Sequence, residues 1–486
     1  MQAQTSASLP SSPAPAETGA PITVSPLEKF RPPAPAPKSP VAALVNVVLR
    51  GERDLLSLLP ATAYTEMMTP LGRSRRGIVI VNRPDLVVKI LADPEGIFPK
   101  NDLMVGALAP LVGDSIFVSD GERWRRQRRM IDPAFSHMRI NRAFESMAAA
   151  IDDYETRLDE EAARGTPFSL DAAMSHLTAD IICRTIFSRG LETQTARDVF
   201  DSFLVFERSV ANVNLTALLF GRPWAKVEQP REVLDACARI RRHIGAMLAP
   251  RRAADAPAFD DIASAIIAAV DPETGERFSE EELIDQLGVF FLAGHETTAS
   301  VLTWCFFIIA QLPAIAARMR AEIARIAGDG PIGFEAAKKL VFVRNVFREA
   351  ARLYPPITFL PRVAARATDI GGRRIARGTM VMIAPWAIHR HRDLWPEPDR
   401  FDPDRFAPER EHEIEPGSYI PFGIGPRVCV GAAFATVEAT LILARLVRRY
   451  DFAVENPEAV RPVARLTTRP KTEITARVRK QPPDAA

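Results

Sequence analysis

Cys429 lies in the run PFGIGPRVCVG, residues 421–431, a loop of glycine and proline just before the alanine-rich run AAFATVEATLILARLV. A helix N-terminus presents unpaired amide N–H groups and the positive end of the helix dipole, so the Cys429 thiolate is expected to be stabilised there. Such a thiolate serves as a nucleophile or a metal ligand. A nucleophile needs a base and an orienting partner, which spacing alone does not exclude. Zinc needs three or four ligands, and no Cys/His cluster lies nearby. The other cysteines, Cys183, Cys237 and Cys305, each fall inside an apolar helical pattern and read as small buried hydrophobes.

A single thiolate is enough for heme iron, because the porphyrin fills the four in-plane positions. Three further runs offer chemistry. AGHETT, residues 293–298, interrupts a long apolar helix with Glu296 and paired threonines, residues that a helix interior accommodates at a cost. EAAR places Glu349 and Arg352 three residues apart on one helix face, where the two lock each other. GERWRRQRRMIDPAF carries five arginines in positions 123–129 and puts Trp124 and Arg128 on one side of a helix, both donors suited to a carboxylate. By itself the run reads as a solvated basic face, notably at Arg123 and Arg126.

The elements that must position these groups are mainly helical. Apolar–polar runs of helical period recur at 139–165, 191–210, 228–255, 280–312, 334–354 and 432–449. Strands are fewer: GIVIVN at 77–82, a hairpin around Gly371 and Gly372 followed by another strand, and a short pair near the C-terminus. The expected fold class is mainly α (α+β), one helix-rich domain over 41–480 with small β-sheets. Ten prolines in the first forty residues mark residues 1–40 as a disordered Pro/Ala-rich tail, and 481–486 as a second tail.

The run 289–312 is apolar enough to suggest a membrane span. Glu296 near its middle and the helix start SEEELIDQ, with Ser279 as cap, favour a helix buried through a soluble domain. The chain has 486 residues and a formal net charge of only +2, from 62 basic and 60 acidic residues, so no global field recruits nucleic acid. Four scattered cysteines without CxxC spacing fit a reducing, cytoplasmic compartment.

FGIGPRVCVG resembles the heme-binding loop of the cytochrome P-450 family, with Phe422, Gly423, Gly425, Arg427, Cys429 and Gly431 at its fixed positions. EAAR, YPPITFLPR and WPEPDRFDPDRF are similar to the family's next elements, in the same order as AGHETT before them. The resemblance implies a cytochrome P-450 fold with heme b (iron protoporphyrin IX) on Cys429 and dioxygen as co-substrate. It places Arg427, Trp124, Arg128 and Arg362 at the heme propionates, and Phe422, Gly423, Gly431 and Ala293 against the macrocycle. Glu296 and Thr297 become the acid and alcohol of proton delivery beside a locally opened helix, with Ala293 and Gly294 at its groove. Glu349, Arg352 and Arg400 become a structural triad.

The resemblance also implies a monooxygenase hydroxylating a hydrophobic organic substrate, such as a fatty acid or terpenoid. Electrons are expected from a ferredoxin- or flavodoxin-type donor with its NAD(P)H reductase, docked in part by Arg125 and Arg129. Neither a transmembrane anchor nor a nucleic-acid partner is expected. A heme-thiolate peroxygenase or isomerase, and a non-catalytic heme sensor, remain as alternatives. Substrate-lining candidates fall at 101–117, 203–220, 286–293 and 357–360.

Overall fold

The computed structural model describes residues 30–39, 42, 54–71, 77–100, 102–210, 229–252 and 259–482. Residues 30–39, expected to belong to the tail, dock on the domain instead. Tyr354 donates its hydroxyl to Pro33 O at 2.7 Å and Phe401 N donates to Phe30 O. Backbone carbonyls of a proline-rich segment, with few amides to satisfy, suit such one-sided pairing. Residues 1–29 and 483–486 lie outside the described residues.

In the first half the helices are α1 (Pro84–Ala92), α2 (Asp102–Val112), α3 (Gly121–Ile131), α4 (His137–Arg164), α5 (Leu170–Phe187), α6 (Gln194–Val210) and α7 (Arg231–Arg252). The second half adds α8 (Ile262–Ala268), α9 (Glu280–Gln311), α10 (Pro313–Ala327), α11 (Phe334–Lys339), α12 (Val341–Leu353), α13 (Pro385–Ile388) and α14 (Ala432–Arg449). The long central helix is α9. Ser279 caps it as expected, its hydroxyl accepting from Glu282 N while the Glu282 carboxylate accepts from Ser279 N.

Although α9 is long and apolar enough to cross a membrane, 83% of its most apolar window is buried inside the protein. It packs against α2, α5, α7, α12 and α14. The single helical run expected at 334–354 is two helices, broken at Leu340. Glu322 on α10 explains the restart: its carboxylate accepts from Phe342 N and Val343 N at 2.9 and 3.0 Å, satisfying the free amides of α12.

The strands form small sheets. The largest joins β1 (Met68–Leu71), β2 (Ile78–Val81), β7 (Met380–Ile383) and β4 (Leu360–Val363), with β2 and β7 parallel. The expected hairpin is β5 (Thr368–Ile370) and β6 (Arg373–Ile375), turned by Gly371 and Gly372 at φ +58 and +84, a region few other residues enter. A three-stranded sheet orders β3 (Phe168–Ser169), β11 (Thr475–Lys480) and β8 (Tyr450–Val454). The terminal pair is β9 (Pro462–Ala464) with β10 (Thr468–Pro470).

Candidate active site

The loop before α14 folds tightly around the sulfur. Cys429 N donates to Phe422 O at 2.9 Å, and Gly423 and Gly425 take φ of +72 and +79. A Cβ on Gly425 would lie 3.2 Å from Leu91 O, so this glycine admits the end of α1. A Cβ on Gly431, the residue preceding α14, would sit 3.9 Å from Cys429 Sγ. Cys429 opens into a cavity of about 320 Å³ that Phe422, Gly423 and Gly431 also line.

Burial pushes the Cys429 thiol up, and the Gly431 amide and Arg128 only partly offset it. The Gly431 amide and Arg128 both favour the thiolate, and the Cys429 side chain itself is exposed to the cavity. A coordinated metal cation removes the proton outright.

One wall of the cavity is cationic. Trp124 and Arg128 of α3, Arg362 of β4, Arg427 and Lys100 all line it. An isolated β-bridge pairs the Lys100 and Arg362 backbones. The Arg427 guanidinium lies 4.3 Å from the Trp124 ring centre, donates to Ser119 O at 3.0 Å and pairs with Asp120. Arg128 donates to Val428 O and pairs with Asp132, both at 2.6 Å.

Burial, then the Arg427 charge, pushes the Lys100 amine down to about 7 and the Arg362 guanidinium down to about 10. Buried cations that repel one another fit a ligand bearing two carboxylates, as heme does. Lys100 was not legible in the sequence; a lone lysine in IFPKNDL carries no pattern.

Across the cavity runs α9. Ala293, Gly294, Thr297 and Thr298 line it. The Thr297 hydroxyl donates to Ala293 O at 2.6 Å, and the helix continues unbroken through the stretch, so the expected locally opened groove is not seen. Gly294 is accounted for by packing: a Cβ there would meet Ile182 Cδ1 at 2.3 Å. Thr298 also contacts Glu438 of α14, whose carboxyl burial pushes well above the usual range.

Glu296 is adjacent in sequence but turned elsewhere and does not line the cavity. Arg469 Nε donates to its Oε1 at 2.9 Å, a second Arg469 nitrogen pairs with Oε2, and Thr467 Oγ1 donates to Oε1 at 2.5 Å. Burial favours its protonation, but Arg469, His295 and Thr467 outweigh burial and hold the carboxyl below its ordinary value. A direct route from bulk solvent through this carboxylate, as expected of a proton-delivering acid, is not what these contacts describe. His295 Nε2 lies 3.0 Å from Glu207 Oε1 and takes no part in the cavity.

Much of the remaining lining is apolar, with Ile116, Ile182, Val289, Phe290 and Phe359 among its residues, while Phe117 stands beside Lys100 and accepts from its Nζ at the backbone carbonyl. Gln286 does not line the cavity; its side-chain carbonyl accepts from Ile116 N at 3.0 Å and holds that loop. Phe203 and Phe206 of α6 are core rather than lining, and the candidates at 211–220 lie outside the described residues.

The arginine run is absorbed by internal pairs: Arg123 with Asp114, Arg125 with Glu122, Arg126 with Glu282, and Arg129 with Asp271 and Glu273. Arg126 is not a solvated residue, since its side chain is 18% exposed and stacks on Phe278. The triad is also corrected. Arg352 grips Glu349 at 2.7 and 2.8 Å, but Arg400 supplies only its carbonyl and turns its side chain to Glu397. The buried third member is Arg405, 3.4 Å from Glu349 Oε1, because the turn at Asp402–Asp404 points it inward.

Below the domain's central helix, then, a lone thiol in a tight loop faces an alcohol across a cavity with a cationic edge and an apolar wall. Residues 35–475 match the family model for cytochrome P450. The chain is 32% identical to cyclooctatin synthase of Streptomyces melanosporofaciens over 442 residues, covering 90% of this chain and 92% of that protein. It is 32% identical to cyclooctat-9-en-7-ol 5-monooxygenase of the same organism, covering 84% and 87%. The crystal structure of the cytochrome P450DA heme domain superposes with a TM-score of 0.75 at 26% identity, covering 86% of this chain and 91% of that one. The chain belongs to the cytochrome P450 family. It is an oxidoreductase of the monooxygenase class, using iron heme and dioxygen.

Proposed function

We propose that this enzyme hydroxylates a neutral, cyclic terpenoid hydrocarbon or its mono-alcohol, with heme b held on Cys429. Heme supplies the reductive activation of dioxygen. Trp124, Arg128, Arg362, Arg427 and Lys100 hold its carboxylates; Phe422, Gly423, Gly431 and Ala293 shape its two faces. Thr297 brings its Oγ1 to the cavity while its hydrogen is donated to Ala293 O, and Glu296 holds charge behind it. Electrons come from a separate ferredoxin- or flavodoxin-type donor with its NAD(P)H reductase, and of the two arginines expected to dock it, Arg125, at 55% side-chain exposure against 29% for Arg129, is the better placed.

The observation that carries the substrate class is the separation of charge within one cavity. Arg128 and Arg427 lie with the Cys429 loop and Lys100 reaches Phe117, while Ile182, Val289 and Phe290 offer no partner for a substrate carboxylate. A fatty acid would bring an anion to that wall; a hydrocarbon skeleton suits it. The relative acting on an alkenol, cyclooctat-9-en-7-ol, supports this over a fatty acid. Spectral titration of the heme-loaded protein with cyclic terpenes and alkenols against fatty acids of similar size tests the reading. Tighter binding of fatty acids would overturn it, and turnover with peroxide but not with a reduced donor would replace the monooxygenase by a peroxygenase.

A further inference from the structure

We propose that His295 and Glu207 share one obligatory proton, which fixes α6 against the Glu296–Thr297 turn of α9 and makes the pair positioning residues for the oxygenation. The catalytic part of this inference rests on the monooxygenase reading; the proton does not.

The argument is one of donors and acceptors. His295 Nδ1 lies 2.7 Å from Phe291 O, a carbonyl that can only accept, so Nδ1 carries a hydrogen. Nε2 of that tautomer is an acceptor, and it lies 3.0 Å from Glu207 Oε1. An ionised carboxylate is also acceptor-only, so two acceptors face each other unless one proton lies between them. Either assignment, imidazolium with carboxylate or imidazole with carboxylic acid, contains that same proton.

Charge balance agrees. The groups around His295 are Glu207 from α6, Glu296 from α9 itself and Arg469 from β10. From α5, Ser175 accepts from Arg469, Asp171 acts on Arg469 through space, and His176 stands beyond the Phe200 ring. Among the described residues, the two carboxylates in contact with His295 or Arg469 stand against one guanidinium, one positive charge short, and a single proton closes it. A divalent metal would overshoot, and Glu296 is already committed to Arg469 through both oxygens.

Glu207 is raised by burial and by Glu296. Burial lowers His295, but Glu207 and Glu296 more than restore it, so it too is raised. Both groups therefore hold protons more tightly folded than unfolded. The contact is fully present at low pH and is lost as pH rises through the folded value, above the ordinary imidazole value of about 6.5. The surrounding contact between α6 and α9 is aromatic: Phe203 stacks on Phe291 at 4.5 Å, and its ring meets His295 edge-on at 5.4 Å. The proton is thus the polar fastening of an otherwise apolar seam.

Hydrogen exchange on the heme-loaded protein tests this without turnover. Protection factors of residues 196–207 should fall about tenfold per pH unit above the titration of the pair, the slope of one proton. In Glu207→Gln, whose amide donates to Nε2 with nothing to titrate, they should stay level. In Glu207→Leu they should be low throughout. Product formed per NAD(P)H should decline over the same range in the parent and stay flat in Glu207→Gln. A level parent profile, a parental slope in Glu207→Gln, or one equivalent of chelatable zinc in the cluster would overturn the inference. A missing carbon-monoxide band of thiolate-ligated heme would sink the monooxygenase reading while leaving the exchange result standing.

Discussion

Arg469 closes on Glu296 from β10, two nitrogens to two oxygens, so the acid of AGHETT is neutralised by a residue 173 positions away. Removing the guanidinium leaves a buried carboxylate unpaired. Arg469→Ala should cost about 3–5 kcal/mol, read from the urea midpoint. Because the Glu296 carboxyl is held below its ordinary value, its contribution is present at neutral pH and lost as pH falls through the folded value. Glu296→Gln should flatten that acid limb; an unchanged limb would remove Glu296 as its source.

Cys429 should be indispensable for heme rather than for folding. Cys429→Ala is expected to lose the red-shifted carbon-monoxide band and most heme absorbance per protein, while far-ultraviolet circular dichroism is retained. A variant keeping the band would show that another residue ligates iron.

Arg362 should trade stability for cofactor. It is 8% exposed, and among the described residues its side chain donates only to its neighbour's carbonyl, Pro361 O, at 3.0 Å. Arg362→Met should leave the heme-free protein equally or more stable, by about 1–3 kcal/mol, since a buried cation without an anion is removed. The same change should speed heme transfer to an apo-acceptor by about tenfold, one charge-assisted hydrogen-bond pair. Faster unfolding of the heme-free variant would contradict the assignment.

Arg405 and Arg400 should separate cleanly. Arg405 is 4% exposed beside the buried Glu349, whereas Arg400 pairs with Glu397 at the surface. Arg405→Ala should cost about 3–5 kcal/mol. Arg400→Ala should stay within about 1 kcal/mol, counting its exposed pair. Equal losses in thermal unfolding would restore Arg400 to the triad.

Much of the site was legible because it is local. The thiol loop, the Trp124/Arg128 spacing and the Glu349/Arg352 pair are set by residues within one turn of each other, where glycine φ preferences and helical period decide the geometry. Arg400 and Arg405 stand in one proline-rich run that does not distinguish them, and only the turn at Asp402–Asp404 shows that Arg405 is the one pointing inward. Lys100, Ile182 and Arg469 were not legible, since each enters from a distant element without any pattern of its own.

From residues alone follow the tight thiol loop, the helical class and the cap of α9, all consequences of local spacing and composition. What waited for tertiary structure was partnership. Burial forces each charged group to find a counter-charge, and whether Glu296 meets Arg469, or His295 meets Glu207, depends on which helices and strands pack across the core.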